Sequence, residues 1–287
     1  MKAKTIKKVL RAKVDEWLAS IEDEEVRSAA TLSTIITGGA IASMLVNEPV
    51  NDYDIYFRDQ ETARNVAEYY VARFPYHEGI KVSVEDDRVR IVTSNGYRGA
   101  TAGDVKTLAD SGDIEDAYDD TEALALNVED TKPKYRPVFL STNAITLSDK
   151  VQVILRFYGE PDAIHENYDF VHCTNYWTSW DNDLVLRQPA LEALLAKELR
   201  YVGRKYPVCS VMRLRKFIKR GWSVNAGQIL KMMMQVSALD LTDPKVLEDQ
   251  LTGVDSAYFL QIMERIKEKD PEKVNAAYLV EIIDRMF

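Results

Sequence analysis

The chain has 287 residues, 46% of them hydrophobic and 29% charged, with a formal net charge of −9; this length exceeds a typical single domain and suggests two, each able to bury a core. The acidic balance argues against nonspecific nucleic-acid binding by the whole molecule, no run of about eighteen apolar residues marks a membrane span, and Cys173 and Cys209 are too few and too far apart for a disulfide framework. The Lys-rich N-terminus lacks the apolar stretch of a signal peptide, and Asp15 and Glu16 argue against an organelle transit peptide, so a cytoplasmic protein is expected.

Ile6, Leu10, Val14, Trp17, Leu18 and Ile21 recur at helical spacing and predict an amphipathic first helix. Asp23 caps a second helix through about Leu32, and 33–37 form a short strand entering Gly38 and Gly39. A short helix, a turn at Pro49 and a strand containing Asp52 and Asp54 follow, then a helix over 60–74 that ends before Pro75. Residues 80–84 and 88–93 alternate and are β-branched, a hairpin closed by Glu85-Asp86-Asp87.

From 101 to 134 acids outnumber bases heavily, which predicts a solvated, mobile insertion. Three apolar runs, 135–140, 144–147 with 151–157, and 168–177, read as further strands, with Gly159-Glu160-Pro161 opening a short helical connection. From about Pro189 helical periodicity returns, with stripes through Leu191, Leu194, Leu195 and Leu199, then Val211, Leu214, Phe217 and Ile218, then Ile229, Met232, Met233 and Val236. This third opens with a cationic cluster that includes Lys197, Arg200, Arg213, Lys216 and Arg220, and Gly221 ends its helix. The fold class is α+β: a mixed-sheet unit over 1–187 followed by a helical unit over 188–287.

Chemically, 37–57 is the most demanding stretch. In a strand Asp52 and Asp54 point the same way; two adjacent carboxylates repel unless a cation sits between them, and magnesium prefers carboxylate and phosphate oxygens. Gly38 and Gly39 let backbone approach an anion closely, the following helix aims free N–H groups at the same place, and Ser43 adds a hydroxyl one turn on. On the helix around 211–220, Arg213, Lys216 and Arg220 share a side, opposite Leu214, Phe217 and Ile218. A basic face aimed at the cleft is therefore expected, and Lys197 joins the cations assigned to nucleotide binding.

Thr37-Gly38-Gly39, the spacer 40–51 and Asp52-Tyr53-Asp54 resemble the signature of the DNA polymerase β-like nucleotidyltransferase superfamily, and the spacer length is similar to that of its tRNA CCA-adding and bacterial poly(A) polymerase branch. The resemblance covers about twenty residues. It departs from that branch at Ile41, Ala42 and Ser43, where Val-Arg-Asp is usual, and no Glu-Asp-Xaa-Xaa-Arg motif is present. The resemblance implies transfer of a nucleotidyl group from an NTP to an acceptor hydroxyl with release of pyrophosphate, at two Mg2+ ions held by Asp52, Asp54 and a third acid on a neighbouring strand. Asp169, flanked by Tyr168 and Phe170 in an apolar run, is the candidate; Glu85 is its main competitor, and Asp149, Asp162 and Glu166 fall in predicted turns. The acceptor is RNA in the leading reading and a small molecule or a protein side chain in the alternatives, a toxin-type transferase among them. An idle nucleotide- or partner-binding protein of the same fold is the reading from another class, and none of these involves a membrane.

Overall fold

The computed structural model describes residues 1–75, 78–85, 87–93, 99–101, 133–203, 205–241, 243, 246, 249 and 250. Helix α1 (Ala3–Ala19) buries Ile6, Leu10, Val14, Trp17 and Leu18 along one stripe. Helix α2 (Glu24–Ser33) is capped by Asp23, which accepts from the Glu25 and Val26 amides, and has Glu24 and Glu25 in its first turn, where the helix dipole favours them. Strand β1 (Thr34–Thr37) leads through Gly38 into α3 (Gly39–Val46), and β2 (Tyr53–Phe57) leads into α4 (Gln60–Ala72), capped by Asp59 on the Thr62 amide.

The hairpin β3 (Ile80–Glu85) and β4 (Arg88–Thr93) forms a separate two-stranded sheet. Strands β5 (Gly99–Thr101), β6 (Pro137–Ser141), β7 (Ala144–Leu147) and β8 (Val151–Tyr158) precede a one-turn helix α5 (Pro161–His165). Strands β9 (Tyr176–Thr178) and β10 (Asp183–Val185) then complete an eight-stranded sheet in the order β10-β9-β1-β2-β8-β7-β6-β5. In it β2 and β8 are parallel and the other neighbours antiparallel. Helices α6 (Gln188–Ala196), α7 (Pro207–Lys219) and α8 (Ala226–Ser237) follow. The architecture is α+β.

Period-two alternation divides the sheet into two unlike faces. Ile36, Ile55, Val151 and Val153 join Ile6, Leu10, Trp17, Ile41, Val66 and Phe74 in the large core beneath α1–α4. On the other face Ile35, Tyr56 and Ile164 form a smaller cluster, with Ile154, Tyr168 and Tyr176 against it. That second face carries Asp54.

Two expectations need correcting, and a third lies outside the described residues. The run 168–177 is not one strand: Val171–Cys173 is a 3-10 turn and only Tyr176–Thr178 joins the sheet. Its apolar residues serve separate cores. Phe170 packs with Leu199, Tyr201 and Met232, whereas Trp177 lies in the main core, so the pattern that looked like one strand reflects two destinations. The C-terminal stripes are also less buried than their periodicity suggests: Leu195 is 88% exposed, and Ile218 and Met233 are exposed too. The cluster Phe170, Leu199, Tyr201 and Met232 is small: α8 gives it Met232, and Leu214 and Phe217 of α7 pack against it only partly buried. The acidic insertion falls almost wholly on 102–132, outside the described residues, as do 251–287 of the expected helical unit. Among the described residues no helix is long and apolar enough to cross a membrane.

Candidate active site

Gly38 sits at φ +92°, a conformation L side chains rarely adopt, and a Cβ there would lie 2.9 Å from Asp54 Oδ2. The glycine is therefore required by the carboxylate beside it. Its N–H donates to the Cys173 carbonyl at 3.1 Å, so Gly38 shapes the turn and its amide is already used. Gly39 opens onto free space and begins α3, whose first-turn amides have no intrahelical acceptors. Ser43 is half-buried in the second turn of that helix. Of the two glycines, Gly38 thus has its amide engaged and Gly39 opens the helix.

Asp52 immediately precedes β2 and Asp54 lies within it. Burial, with Asp52 adding its own charge, pushes the Asp54 carboxyl well above the ordinary Asp range, against the opposing field of Arg213. Burial also raises Asp52, while Lys216, its own backbone amide, Arg220 and Lys150 pull the other way. Two carboxylates that destabilise each other favour a divalent cation between them. Among the described residues no group of three or more His, Cys, Asp or Glu side chains is arranged to hold a metal. A two-carboxylate donor set still suits magnesium, which keeps waters and substrate phosphates as its remaining ligands.

Helix α7 comes to this pair. The charges of Lys216 and of Arg220, just past the helix end, pull the Asp52 carboxyl down, and that of Arg213 pulls Asp54 down. Pro207 starts the helix, and Gly221, at φ +79°, donates to the Ile218 carbonyl at 2.9 Å and ends it. Lys197 goes elsewhere: it occupies a left-handed C-cap at the end of α6 and reaches Glu48 at 3.4 Å.

Asp169 does not join the pair as a ligand on a neighbouring strand. It is 8% exposed, accepts from the Ser210 hydroxyl at 2.7 Å and is ion-paired with Arg213, both partners coming from α7. Its carbonyl takes the Val202 and Gly203 amides, at 2.8 and 3.1 Å. Burying this carboxylate is offset by those α7 contacts, which makes Asp169 a fastener between the 168–173 segment and α7. Glu85 stands at the end of the separate hairpin, ion-paired with Arg90 and largely exposed, so it is no substitute.

Several groups at the site carry no motif. Asp149 and Lys150 are both in left-handed conformations; the Lys150 carbonyl accepts the Tyr53 amide at 2.8 Å, and its Nζ donates to the Val50 carbonyl at 3.0 Å. This staple holds the start of β8 beside Asp52. Tyr168 places its hydroxyl 3.6 Å from the position of a Gly38 Cβ. That hydroxyl is buried without a well-formed hydrogen bond, and burial raises its pKa far above the usual phenol range. Cys173, near Asp54 and Asp169, is pushed up to about 12 by burial and those two charges, so it is an inert thiol. Behind the turn, the Thr37 hydroxyl lies 2.9 Å from the Asn175 carbonyl and 2.8 Å from His165 Nε2. His165 is lowered to about 4, first by burial and then by Arg187, and is neutral. None of these left a signal in the sequence: Lys150 reaches Asp52 only through the parallel pairing of β8 with β2.

A family model, the Gabija anti-defense 2 family protein, matches residues 8–197, well over half of the chain. The chain belongs to that family. The matched span runs from α1 to the end of α6 and contains Gly38, Asp52 and Asp54, but stops before α7. A curated relative, Gabija anti-defense 2 of Bacillus phage SPbetaL7, is 19% identical over 254 residues, covering 88% of this chain and 49% of the relative. This family member thus spans about half the length of that relative. Among solved structures it is similar to the Thermotoga maritima CCA-adding enzyme complexed with tRNA, at a TM-score of 0.42 and 12% identity over 88% of this chain and 54% of the other. It is also similar to the Bacillus stearothermophilus CCA-adding enzyme in complex with CTP, at a TM-score of 0.40 and 13% identity over 85% of this chain and 49% of that one.

Proposed function

We propose that this chain is a magnesium-dependent nucleotidyltransferase that moves an NMP from an NTP to an acceptor hydroxyl, with RNA as the acceptor class, and that this transfer is how it serves an anti-defense role. The observation that carries the reading is the Asp52 and Asp54 pair, packed against the turn at Gly38 and faced by Arg213, Lys216 and Arg220 of α7. An arrangement made only for stability would neutralise both acids, as it does Asp169. The catalytic unit is 1–187, and the helical unit that follows lends its cations.

In this reading Asp52 and Asp54 hold the cation, and the first-turn amides of α3, from Gly39 on, face the terminal phosphates. A bound magnesium ion supplies charge stabilisation on the reacting phosphate and a lower pKa for the attacking hydroxyl. The acceptor oxygen forms a bond to the α-phosphorus, the bond from that phosphorus to the bridging oxygen breaks, pyrophosphate leaves, and the hydroxyl proton passes to solvent. Lys216 and Arg220 lie where the leaving phosphates or an RNA backbone need positive charge, and Arg donates two bonds to phosphate at once.

The test is incubation of the full chain with each α-labelled NTP, magnesium and total RNA or lysate, beside Asp54→Asn. Label on RNA from wild type and not from the variant is expected. Equal labelling by both, or none by wild type with any NTP, would sink the proposal.

A further inference from the structure

The surroundings of the carboxylate pair bear on how many cations it holds. In the parallel register of β2 and β8, Tyr53, Asp54 and Ile55 sit opposite Val151, Gln152 and Val153. Val151 and Val153 are buried in the helix-side core, so Gln152 faces the same side as Asp54. Neighbouring strands run about 4.8 Å apart, which brings the Gln152 amide within reach of the space in front of Asp54. The next strand continues the row with Thr146, the register partner of Gln152. Along this row, Asp54, Gln152 and Thr146, only Asp54 is an anion.

Cations surround it. Lys150, Lys216 and Arg220 act on Asp52, and Arg213 acts on Asp54 while it holds Asp169. Two carboxylates balance one divalent ion. A second would gain only a neutral amide from the neighbouring strand and would meet the positive field that Lys150, Lys216 and Arg220 exert at Asp52.

We propose that this site, read as a nucleotidyltransferase centre, binds its nucleoside triphosphate with a single divalent cation on Asp52 and Asp54, and that Gln152 is the residue that sets this number. The α7 cations then meet the phosphate charge that a second ion would otherwise neutralise. Gln152 is thus a specificity-determining residue for the metal content of the site. The substrate class follows: a triphosphate carrying one metal ion, its remaining negative charge met by Arg and Lys.

The experiment is a Mn2+ titration of the full chain with a non-hydrolysable NTP analogue, read by electron paramagnetic resonance as ions bound per chain. About one ion is expected for wild type and about two for Gln152→Glu, which places a third carboxylate on the row. Gln152→Met, similar in size and without an amide, should stay at one. Two ions on wild type overturn the proposal whatever the variants do, as does one ion on Gln152→Glu that melts like wild type; Gln152→Asp supplies the acid if the Glu variant does not fold. Two ions on a wild type that still labels RNA remove this inference and leave the transferase reading standing. No ion on wild type removes both.

Discussion

Asp54 is half-buried and Asp169 buried, both near α7, yet the chain treats them in opposite ways. Asp169 receives the Ser210 hydroxyl and the Arg213 guanidinium, two partners that offset its desolvation. Asp54 is pressed against Gly38 and has a second carboxylate, Asp52, as its strongest charged neighbour, so burial and repulsion both disfavour its charged form. A neutralised acid reports packing. An acid kept beside another acid keeps an electrostatic cost that the field of Arg213 offsets only in part, and such a cost is an expected signature of a site.

The contrast is broken most sharply at the site. Asp52→Asn or Asp54→Asn should lower nucleotidyl transfer by orders of magnitude, while the melting temperature holds or rises because the mutual repulsion is gone; a steady-state rate beside a thermal melt checks both. Asp169→Asn should do the reverse. It removes the acid of a fastener whose arginine is 43% exposed, so the loss sits below the range for fully buried pairs, about 2 kcal/mol in a urea unfolding series. Metal binding, measured separately, should stay near wild type.

Arg213 belongs to both settings, so Arg213→Ala mixes lost fastening with lost phosphate contact. Its removal costs stability through the ion pair with Asp169. Lys216→Ala and Arg220→Ala separate the effects. Each should weaken NTP or RNA binding by roughly 5–10-fold at low salt and less at high salt, because surface charge is screened, and the exposed Arg220→Ala should leave melting unchanged. Binding isotherms at two salt concentrations decide it.

The smallest effect sharpens the packing side. Asp59 caps α4; burial raises its pKa, but bonds from the Thr62 amide and the Ser33 and Thr62 hydroxyls outweigh that and leave it lowered. A depressed folded pKa means its contribution is present above the ordinary Asp range and lost as the pH falls through the lower folded value. Asp59→Ala should cost about 1 kcal/mol near neutral pH and reduce the acid sensitivity of the melt.

Local chemistry was legible in the chain itself. The cap at Asp23, the hairpin 80–93 and the strand-turn-helix through Gly38 depend on neighbours within a few residues, and the sequence determined them because short-range sterics and hydrogen bonding do. What only the tertiary structure decided is who meets whom across long separations. Arg213 lies 44 positions from Asp169, and nothing local distinguishes a buried acid awaiting a metal from one awaiting that arginine. The parallel pairing of β2 with β8 brought Lys150 and Gln152 to the carboxylates, and α7 brought Lys216 and Arg220. Such meetings are settled by burial of the whole chain's apolar surface, a sum over distant residues that no single window contains.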